Sequence, residues 1–288
     1  MESASATPPV APGIPRKMMI FGVPRSGTSW IGEIVNSSPH VLYCYQPLFA
    51  YALKDFLTPA SSRDDIEAFF AELAVTDDPF IRQADRRRGA DFPSFAKQEI
   101  THIAFKEVRY INILNNLMRR APDVFLCAVI RNPLSVIHSW LRAPREFRRD
   151  LGWSEMEEWR YALRKNLNRP EEFHGYEKWK EAANLFLSLR ERYPDRVFIA
   201  RYGRFLADPH GEAQALFHAA GLPLTRQTED FLDASTTREN DDPYSVYRSG
   251  QRDDKWREGL DRRIVTEVRR DLRDSALETY LDGMEGAS

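Results

Sequence analysis

Cysteine is scarce in this chain, and long apolar runs are absent. Its 288 residues include two cysteines, Cys44 and Cys127, and six histidines. These are too few for a disulfide framework or a structural zinc cluster. Both cysteines lie in apolar stretches, so we expect buried free thiols in a reducing compartment. No segment approaches the roughly 18–20 apolar residues of a membrane span. The sequence therefore predicts a soluble, cytoplasmic protein without a metal or a membrane contact.

Net charge is also nearly absent. The chain has 41 Lys and Arg residues and 43 Asp and Glu residues, which gives a formal charge of −2 at pH 7. This balance gives the surface no general attraction to nucleic acid, so any anion must be bound by a local cluster. Residues 1–16 lack the apolar core of a signal peptide, and we expect a disordered tail there. A single domain is expected over residues 17–288, with charged, acceptor-side insertions near 60–100 and 142–175.

Short apolar runs without polar alternation are typical of strands buried on both faces of a parallel sheet. The sequence has such runs at Met18–Val23, Ile103–Phe105, Val124–Ile130 and Arg196–Ala200. Helical spacing occurs at Thr28–Ser37, Pro133–Leu141, Tyr176–Tyr193, Gly211–Ala220 (with Gly221 as its C-cap) and 261–282. Buried strands that alternate with helices predict an α/β fold with a mostly parallel sheet.

The segment Gly22–Trp30, GVPRSGTSW, follows the first predicted strand and opens the first predicted helix. This is the context of a phosphate-binding loop, in which backbone N–H groups and a helix N-terminus attract an anion. Arg25 supplies a cation, and Gly27 allows close approach of the backbone. Thr28 and Ser29 add hydroxyl donors.

The loop has the spacing of a Walker A sequence, but Thr28 stands where that sequence has lysine. Nucleoside-triphosphate enzymes use this lysine on the phosphates together with a metal ion. The pattern therefore indicates a nucleotide phosphate bound through Arg25 without the Lys–Mg²⁺ arrangement. A P-loop small-molecule kinase is the alternative. The second buried strand ends in Arg131 and not in an acidic residue, which argues against a kinase.

A second candidate phosphate site follows the strand Val124–Ile130. Arg131 leaves the strand end, and Ser139 lies eight residues further on, about two turns along the next helix. Arginine presents a planar fork of donors that suits a phosphate. Open α/β sheets bind ligands at the carboxyl ends of their strands. We therefore predict that the two strand ends bind different phosphates of one nucleotide.

Together these segments resemble the sulfotransferases that use 3′-phosphoadenosine-5′-phosphosulfate (PAPS). PRSGTSW is similar to the family's 5′-phosphosulfate loop, and RNPLSVIHS is similar to its 3′-phosphate motif. The arginine form of the loop is closer to the carbohydrate-type and bacterial branches. Weaker similarities lie at Phe105–Arg109, at Ile199–Pro209, and at Arg248-Ser249-Gly250 followed by Asp254-Lys255-Trp256.

The resemblance implies a P-loop-like, three-layer fold with a five-stranded sheet. It also implies sulfonate transfer from PAPS to a hydroxyl or amine of a small-molecule or carbohydrate acceptor, with adenosine 3′,5′-bisphosphate (PAP) as the product. Arg131, Ser139 and Arg248 would meet the 3′ phosphate, and Trp30 and Tyr202 would flank the adenine. The residues implied in donor binding are Arg25, Ser26, Gly27, Thr28, Ser29, Trp30, Arg131, Ser139, Tyr202, Arg248, Ser249 and Gly250.

The resemblance leaves the general base open. Arg25 is the first expected cation for the leaving group, and Lys106 is the second. Gln46 stands where the carbohydrate-type branch has Glu, and Val108 stands where the aryl and steroid branch has His. A neutral amide can orient an acceptor but cannot take its proton. Glu107, beside Lys106, is one candidate base.

Three explanations for the missing base stay open: a base from an insertion, an acceptor that needs little deprotonation, or a non-catalytic homologue. His40 and His102 are further candidates, although a lone histidine is more often structural. The runs Arg86-Arg87-Arg88 and Arg142–Arg149 suggest an acidic or sulfated acceptor or, more simply, solvated faces. The sequence names neither the acceptor nor the oligomeric state.

Overall fold

The computed structural model describes residues 15–84, 92–238 and 253–281. Within these residues five parallel strands form one sheet, in the order β2-β3-β1-β4-β5. The strands are β1 (Arg16–Phe21), β2 (Val41–Tyr45), β3 (His102–Glu107), β4 (Val124–Ile130) and β5 (Val197–Arg201). The predicted α/β fold with a five-stranded parallel sheet is confirmed.

Helices precede or follow each strand. The α-helices of the described residues are α1 (Thr28–Asn36), α2 (Arg63–Val75), α3 (Leu114–Arg120), α4 (Pro133–Leu141), α5 (Glu155–Glu158), α6 (Leu163–Asn166), α7 (Tyr176–Arg192), α8 (Tyr202–Ala207), α9 (Pro209–Ala220), α10 (Arg226–Thr237), α11 (Trp256–Gly259) and α12 (Arg262–Leu272). Short 3₁₀ turns lie at Tyr51–Leu53, Ile111–Ile113, Arg149–Leu151 and Glu278–Tyr280.

The central strand β1 shows why these runs lack polar alternation. Successive side chains point to opposite faces of the sheet, and both faces of β1 are covered. Met18 and Ile20 pack under α1, α9 and α10. Met19 and Phe21 belong to the larger apolar cluster formed with α2, α3, α4, α7 and α12. All four side chains are fully buried, so a polar residue on either face would lose its hydration.

The strand boundaries predicted from the sequence lie within two residues of those observed for β1, β3, β4 and β5. Strand β2 was not predicted as a strand. It is a five-residue edge strand that pairs only with β3, and its apolar run is too short to separate from a buried loop by pattern alone.

Two helical regions differ from expectation. The region 60–100, for which no helix was predicted, contains α2. Ser62 and Asp65 form a capping box at its start, and Ile66, Phe69, Phe70 and Leu73 are its buried face. The predicted helix over 261–282 ends at Leu272, because Arg273 adopts an extended conformation.

The expected tail falls largely outside the described residues, which begin at position 15. Arg16 already belongs to β1, so the last residue of the expected tail is part of the sheet instead. The expected insertion at 142–175 contains the short helices α5 and α6 and one 3₁₀ turn.

Gly27 lies between β1 and α1 and has a conformation that favours glycine. It is the N-cap of α1 with a φ of 93°, in the left-handed region. A Cβ atom at this position would lie 2.3 Å from the ring of Tyr202. The loop backbone therefore packs directly on the residue that follows β5.

The substitution Gly27→Ala is expected to lower the free energy of unfolding by about 1–3 kcal/mol, because it adds backbone strain and a steric clash. The matched control is Gly203→Ala in α8, where a Cβ meets no atom within 4 Å. The free energy of unfolding of the control should be unchanged or higher by up to about 1 kcal/mol. Equal urea-denaturation midpoints for the two variants would contradict this account.

Candidate functional site

All five strands run in the same direction, so their carboxyl ends share one edge of the sheet. Predicted site residues stand at each of these ends. The Gly22–Trp30 loop follows β1, and Arg131 follows β4. Lys106 lies near the end of β3, Gln46 follows β2, and Tyr202 follows β5. The fold thus collects at one edge residues that are up to 180 positions apart in the sequence.

The loop after β1 alternates between buried and partly exposed residues. Arg25, Gly27 and Ser29 are partly exposed, whereas Ser26 and Thr28 are buried. The hydroxyl and the N–H of Ser26 both donate to the carbonyl of Val23, at 2.7 and 3.1 Å. Ser26 therefore closes the turn with its own side chain. The first N–H groups of α1 have no acceptor within the helix and suit an anion.

Arg131 joins the second strand end to this loop. Its Nη1 donates to the backbone carbonyl of Arg25 at 2.8 Å, and its Nε donates to Asp253 Oδ1 at 2.7 Å. The guanidinium also lies 4.7 Å from the ring centre of Tyr202. The two predicted phosphate sites are thus adjacent and connected by one side chain.

Arg25 contacts the helix that follows β4. Its Nε donates to Ser139 Oγ at 3.1 Å, and its Nη1 lies 3.3 Å from Glu146 Oε1. Ser139 was predicted at the 3′-phosphate site and Arg25 at the 5′ site. The structure brings these two side chains into direct contact.

Trp30 and Tyr202 contact each other instead of lying parallel. Their ring centres are 5.9 Å apart with an interplanar angle of 78°, an edge-to-face pair. Both are largely buried, and Trp30 Nε1 donates to Ser235 Oγ at 3.0 Å. The two residues expected to flank the adenine therefore lie side by side, one in α1 and one in α8.

The end of β3 is buried under the turn that follows β2. Lys106 is 1% exposed, and its Nζ lies 4.5 Å from the centre of the Tyr45 ring. Glu107 is fully buried, and its Oε1 accepts from the Leu48 N–H at 2.8 Å. The Gln46 N–H donates to the Lys106 carbonyl at 2.9 Å. Glu107 therefore fixes the turn that presents Gln46.

Burial raises the pKa of Glu107 to about 8, although the nearby positive charge of Lys106 and the Leu48 N–H oppose the rise. Its second oxygen, Oε2, has no hydrogen-bond partner among the described residues. A buried carboxyl in this state is largely protonated at neutral pH. It has neither the exposure nor the charge of an ordinary general base.

His40 and His102 lie at the opposite edge of the sheet and were wrong as candidate bases. His102 is the first residue of β3, and His40 directly precedes β2. The ring of His102 contacts the Ala220 carbonyl at 3.1 Å, and burial lowers its pKa to about 4. Both residues are a full strand length from the loop.

Three of the four arginines in the run 142–149 pair with neighbouring acids. Arg142 and Arg149 both pair with Glu155, and Arg148 pairs with Asp150 at 2.5 Å. These pairs favour the simpler interpretation, a solvated face. The other run, 86–88, lies outside the described residues.

The triplet Arg248-Ser249-Gly250 also lies outside the described residues. The chain is described again from Asp253, which contacts two residues of the site. Its carboxylate accepts from Arg131, and its backbone carbonyl accepts from Ser135 Oγ at 2.7 Å.

Sequence reasoning missed two acidic side chains at this edge, Glu146 and Asp253. Glu146 lies in the turn beyond the end of α4, inside the arginine-rich run 142–149, and no local pattern marks it as a site residue. Asp253 is brought to Arg131 across 122 positions, and no local pattern points to this pairing.

The family model described as Sulfotransferase family matches residues 17–226, so the chain belongs to the sulfotransferase family. The predicted resemblance is confirmed. Carbohydrate sulfotransferase 3 of Mus musculus is 22% identical over 307 residues, which cover 85% of this chain and 63% of the relative. The Homo sapiens protein of that name is 24% identical over 311 residues, covering 86% and 64%. The chain therefore spans less than two thirds of the length of these relatives.

Solved structures agree in fold. Retinol dehydratase in a complex with retinol and PAP has a TM-score of 0.53 at 15% identity, covering 92% of this chain and 84% of that chain. Sulfotransferase STF9 from Mycobacterium avium has a TM-score of 0.50 at 18% identity, covering 93% and 79%. Among the described residues no helix combines the length and the apolarity needed to cross a bilayer.

The raised pKa of Glu107 makes stability depend on pH. The stabilisation of the fold by the neutral Glu107 side chain is fully present below the ordinary carboxyl pKa. It is lost as the pH rises through about 8. When the pH is raised from 5 to 9, the free energy of unfolding of Glu107→Gln should therefore increase by roughly 3–5 kcal/mol relative to that of the unmodified chain. Urea denaturation at both pH values measures this difference. The exposed Glu157→Gln is the control, and the account fails if both variants track the unmodified chain.

Proposed function

We propose that this chain transfers a sulfonate group from PAPS to a hydroxyl or amine of a small-molecule or carbohydrate acceptor by in-line displacement. Family membership supports the reaction class. The bound PAP named for the retinol dehydratase structure supports the donor, and the carbohydrate sulfotransferase relatives support a carbohydrate among the acceptors.

The observation that carries the proposal is the hydrogen bond from Arg131 Nη1 to the Arg25 carbonyl at 2.8 Å. It joins the ends of β1 and β4 in a single site, as a ligand with phosphates at both ends of an adenosine requires. The residues present suit such an anion: two guanidinium groups, the first N–H groups of α1, and a backbone at Gly27 without a Cβ.

Each residue has a proposed role in this site. Arg25 stabilises the charge that develops on the leaving group. It is preferred to Lys106 because its side chain is 16% exposed, whereas Lys106 is 1% exposed. Arg131 binds the 3′ phosphate, and Ser139 orients Arg25. Gln46 contacts the acceptor from the turn that Glu107 holds.

Aromatic rings beside Gln46 support an acceptor with an apolar ring face. Tyr45 and Phe80 have ring centres 5.5 Å apart, and Phe49 lies 5.9 Å from Phe80. Phe49 and Phe80 are 44% and 41% exposed. Exposed rings next to a few polar groups are typical of small-molecule sites.

We extend the proposal to a cytoplasmic location. Cys44 and Cys127 are both free and buried, on β2 and β4. A reducing compartment keeps such thiols reduced. No contact with nucleic acid is proposed, since three of the four arginines in the run 142–149 are paired with neighbouring acids.

PAP is expected to bind without a metal and to raise the melting temperature, whereas ATP–Mg²⁺ should have little effect. Arg131→Ala should weaken PAP binding by about 1.5–3 kcal/mol, because one charge-assisted contact is lost. Calorimetric titration measures the affinity, with the exposed Arg192→Ala as the matched control. Stabilisation by ATP–Mg²⁺ alone would reject the proposed donor, and unchanged PAP affinity would remove Arg131 from the site.

Arg25→Ala should lower turnover by roughly 10²–10³-fold, the scale of losing one charge-stabilising donor. The assay uses PAPS and the first acceptor that gains the mass of a sulfonate in a screen of phenols, amines and saccharides. Arg192→Ala again serves as the control. Turnover at the level of the unmodified chain would exclude Arg25 from the chemical step.

A further inference from the structure

The residues that stand where a base is expected do not suit the task. Gln46 carries a neutral amide, and Glu107 is fully buried, with a pKa raised by burial to about 8. Lys106 is a buried cation. The proposed reaction nevertheless needs a group that takes the acceptor proton. A carboxylate beside the loop cation would meet this need.

Glu146 is such a carboxylate. It lies in the turn after α4, where its N–H donates to the Ala143 carbonyl at 2.9 Å. Its Oε1 is 3.3 Å from Arg25 Nη1, and the side chain is 22% exposed. Glu146 therefore reaches the phosphate loop from the insertion and remains accessible.

The neighbouring Phe147 anchors this turn. Its ring centre lies 5.4 Å from that of Trp140 and 5.7 Å from that of Trp153, both in edge-to-face contact. Phe147 is 2% exposed. Because the adjacent residue is locked into the core, the position of Glu146 relative to Arg25 is defined.

Buried polar groups stand behind the carboxylate. His174 Nε2 lies 3.5 Å from Glu146 Oε2, and His174 Nδ1 lies 3.7 Å from Glu172 Oε2. Arg109 Nε lies 3.1 Å from the same Glu172 oxygen. His174 thus lies next to the rear oxygen of Glu146, which has no hydrogen-bond partner among the described residues, and the other carboxylate oxygen lies at Arg25.

The charges around Glu146 keep it ionised. Burial opposes ionisation, but His174, Arg25 and Lys165 together lower its pKa below the usual carboxyl range. Burial lowers the pKa of His174, and the hydrogen bond and charge of Glu146 oppose that shift. Glu146 is therefore an anion that can accept a proton under ordinary conditions.

We propose that Glu146 is the general base of the sulfonate transfer, supplied by the 142–175 insertion; this inference rests on the proposed function. Glu146 takes the proton of the acceptor O–H or N–H as the acceptor atom bonds to sulfur. The bond between sulfur and the phosphate oxygen breaks, and its electron pair remains on PAP beside Arg25. His174 is a positioning residue in this scheme.

The test separates a base from a group that merely holds Arg25. Glu146→Gln keeps an oxygen for Arg25 but cannot accept the proton. It should bind PAP within about twofold of the unmodified chain and lose roughly 10²–10⁴-fold in turnover, while Glu146→Asp should recover part of that loss. Turnover of the unmodified chain should fall at acidic pH as Glu146 protonates. The residual turnover of Glu146→Gln should not show this fall at acidic pH. Glu157→Gln, a carboxylate of the same insertion that is 63% exposed, is the matched control.

A crystal structure with PAP gives a readout that needs no acceptor. Glu146 should face the open side of the 5′ phosphate, with an ordered water within hydrogen-bond reach in place of the acceptor hydroxyl. A carboxylate turned away from the nucleotide, or a Glu146→Gln variant with full turnover, overturns the inference. If PAP does not bind the unmodified chain, the proposed function itself fails. If PAP binds and the carboxylate faces away, only the role of Glu146 fails.

Discussion

The site depends on one hydrogen bond, from the Arg131 guanidinium to the backbone carbonyl of Arg25. Arg25 has a φ of 72°, a left-handed conformation that costs free energy for a residue with a side chain. The contact with Arg131 offsets part of that cost and fixes the carbonyl. The Arg25 side chain contacts Ser139 and Glu146. Two strand ends are thereby held at a defined separation.

Charge in the site is balanced within the chain. Arg25 lies beside Glu146, and Arg131 lies beside Asp253. These ion pairs hold both guanidinium groups in place before any anion binds. Fixed donors stabilise developing charge better than mobile ones, since they need no reorganisation during the reaction. Local arginines can therefore serve an anionic ligand although the net charge of the chain is −2.

The fold separates two tasks. The sheet edge supplies groups for an anionic ligand, because the carboxyl ends of parallel strands place helix N-termini and loop N–H groups together. The segment after α4 supplies the carboxylate Glu146 and its buried support, His174. A scaffold of this kind can keep the anion site while its insertions differ in acid–base groups and acceptor contacts.

The sequence alone predicted the buried strands, the loop after β1 and the arginine after β4, because each depends on a local pattern of apolar residues and turns. Strand β2 was not predicted, since a five-residue run at the sheet edge has too little periodicity to indicate a strand. Tertiary structure decided which side chains meet. Glu146 reaches Arg25 across 121 positions, and Asp253 reaches Arg131 across 122. It also excluded Glu107 as an exposed base, because burial and pKa depend on neighbours from other strands, and no local pattern records them.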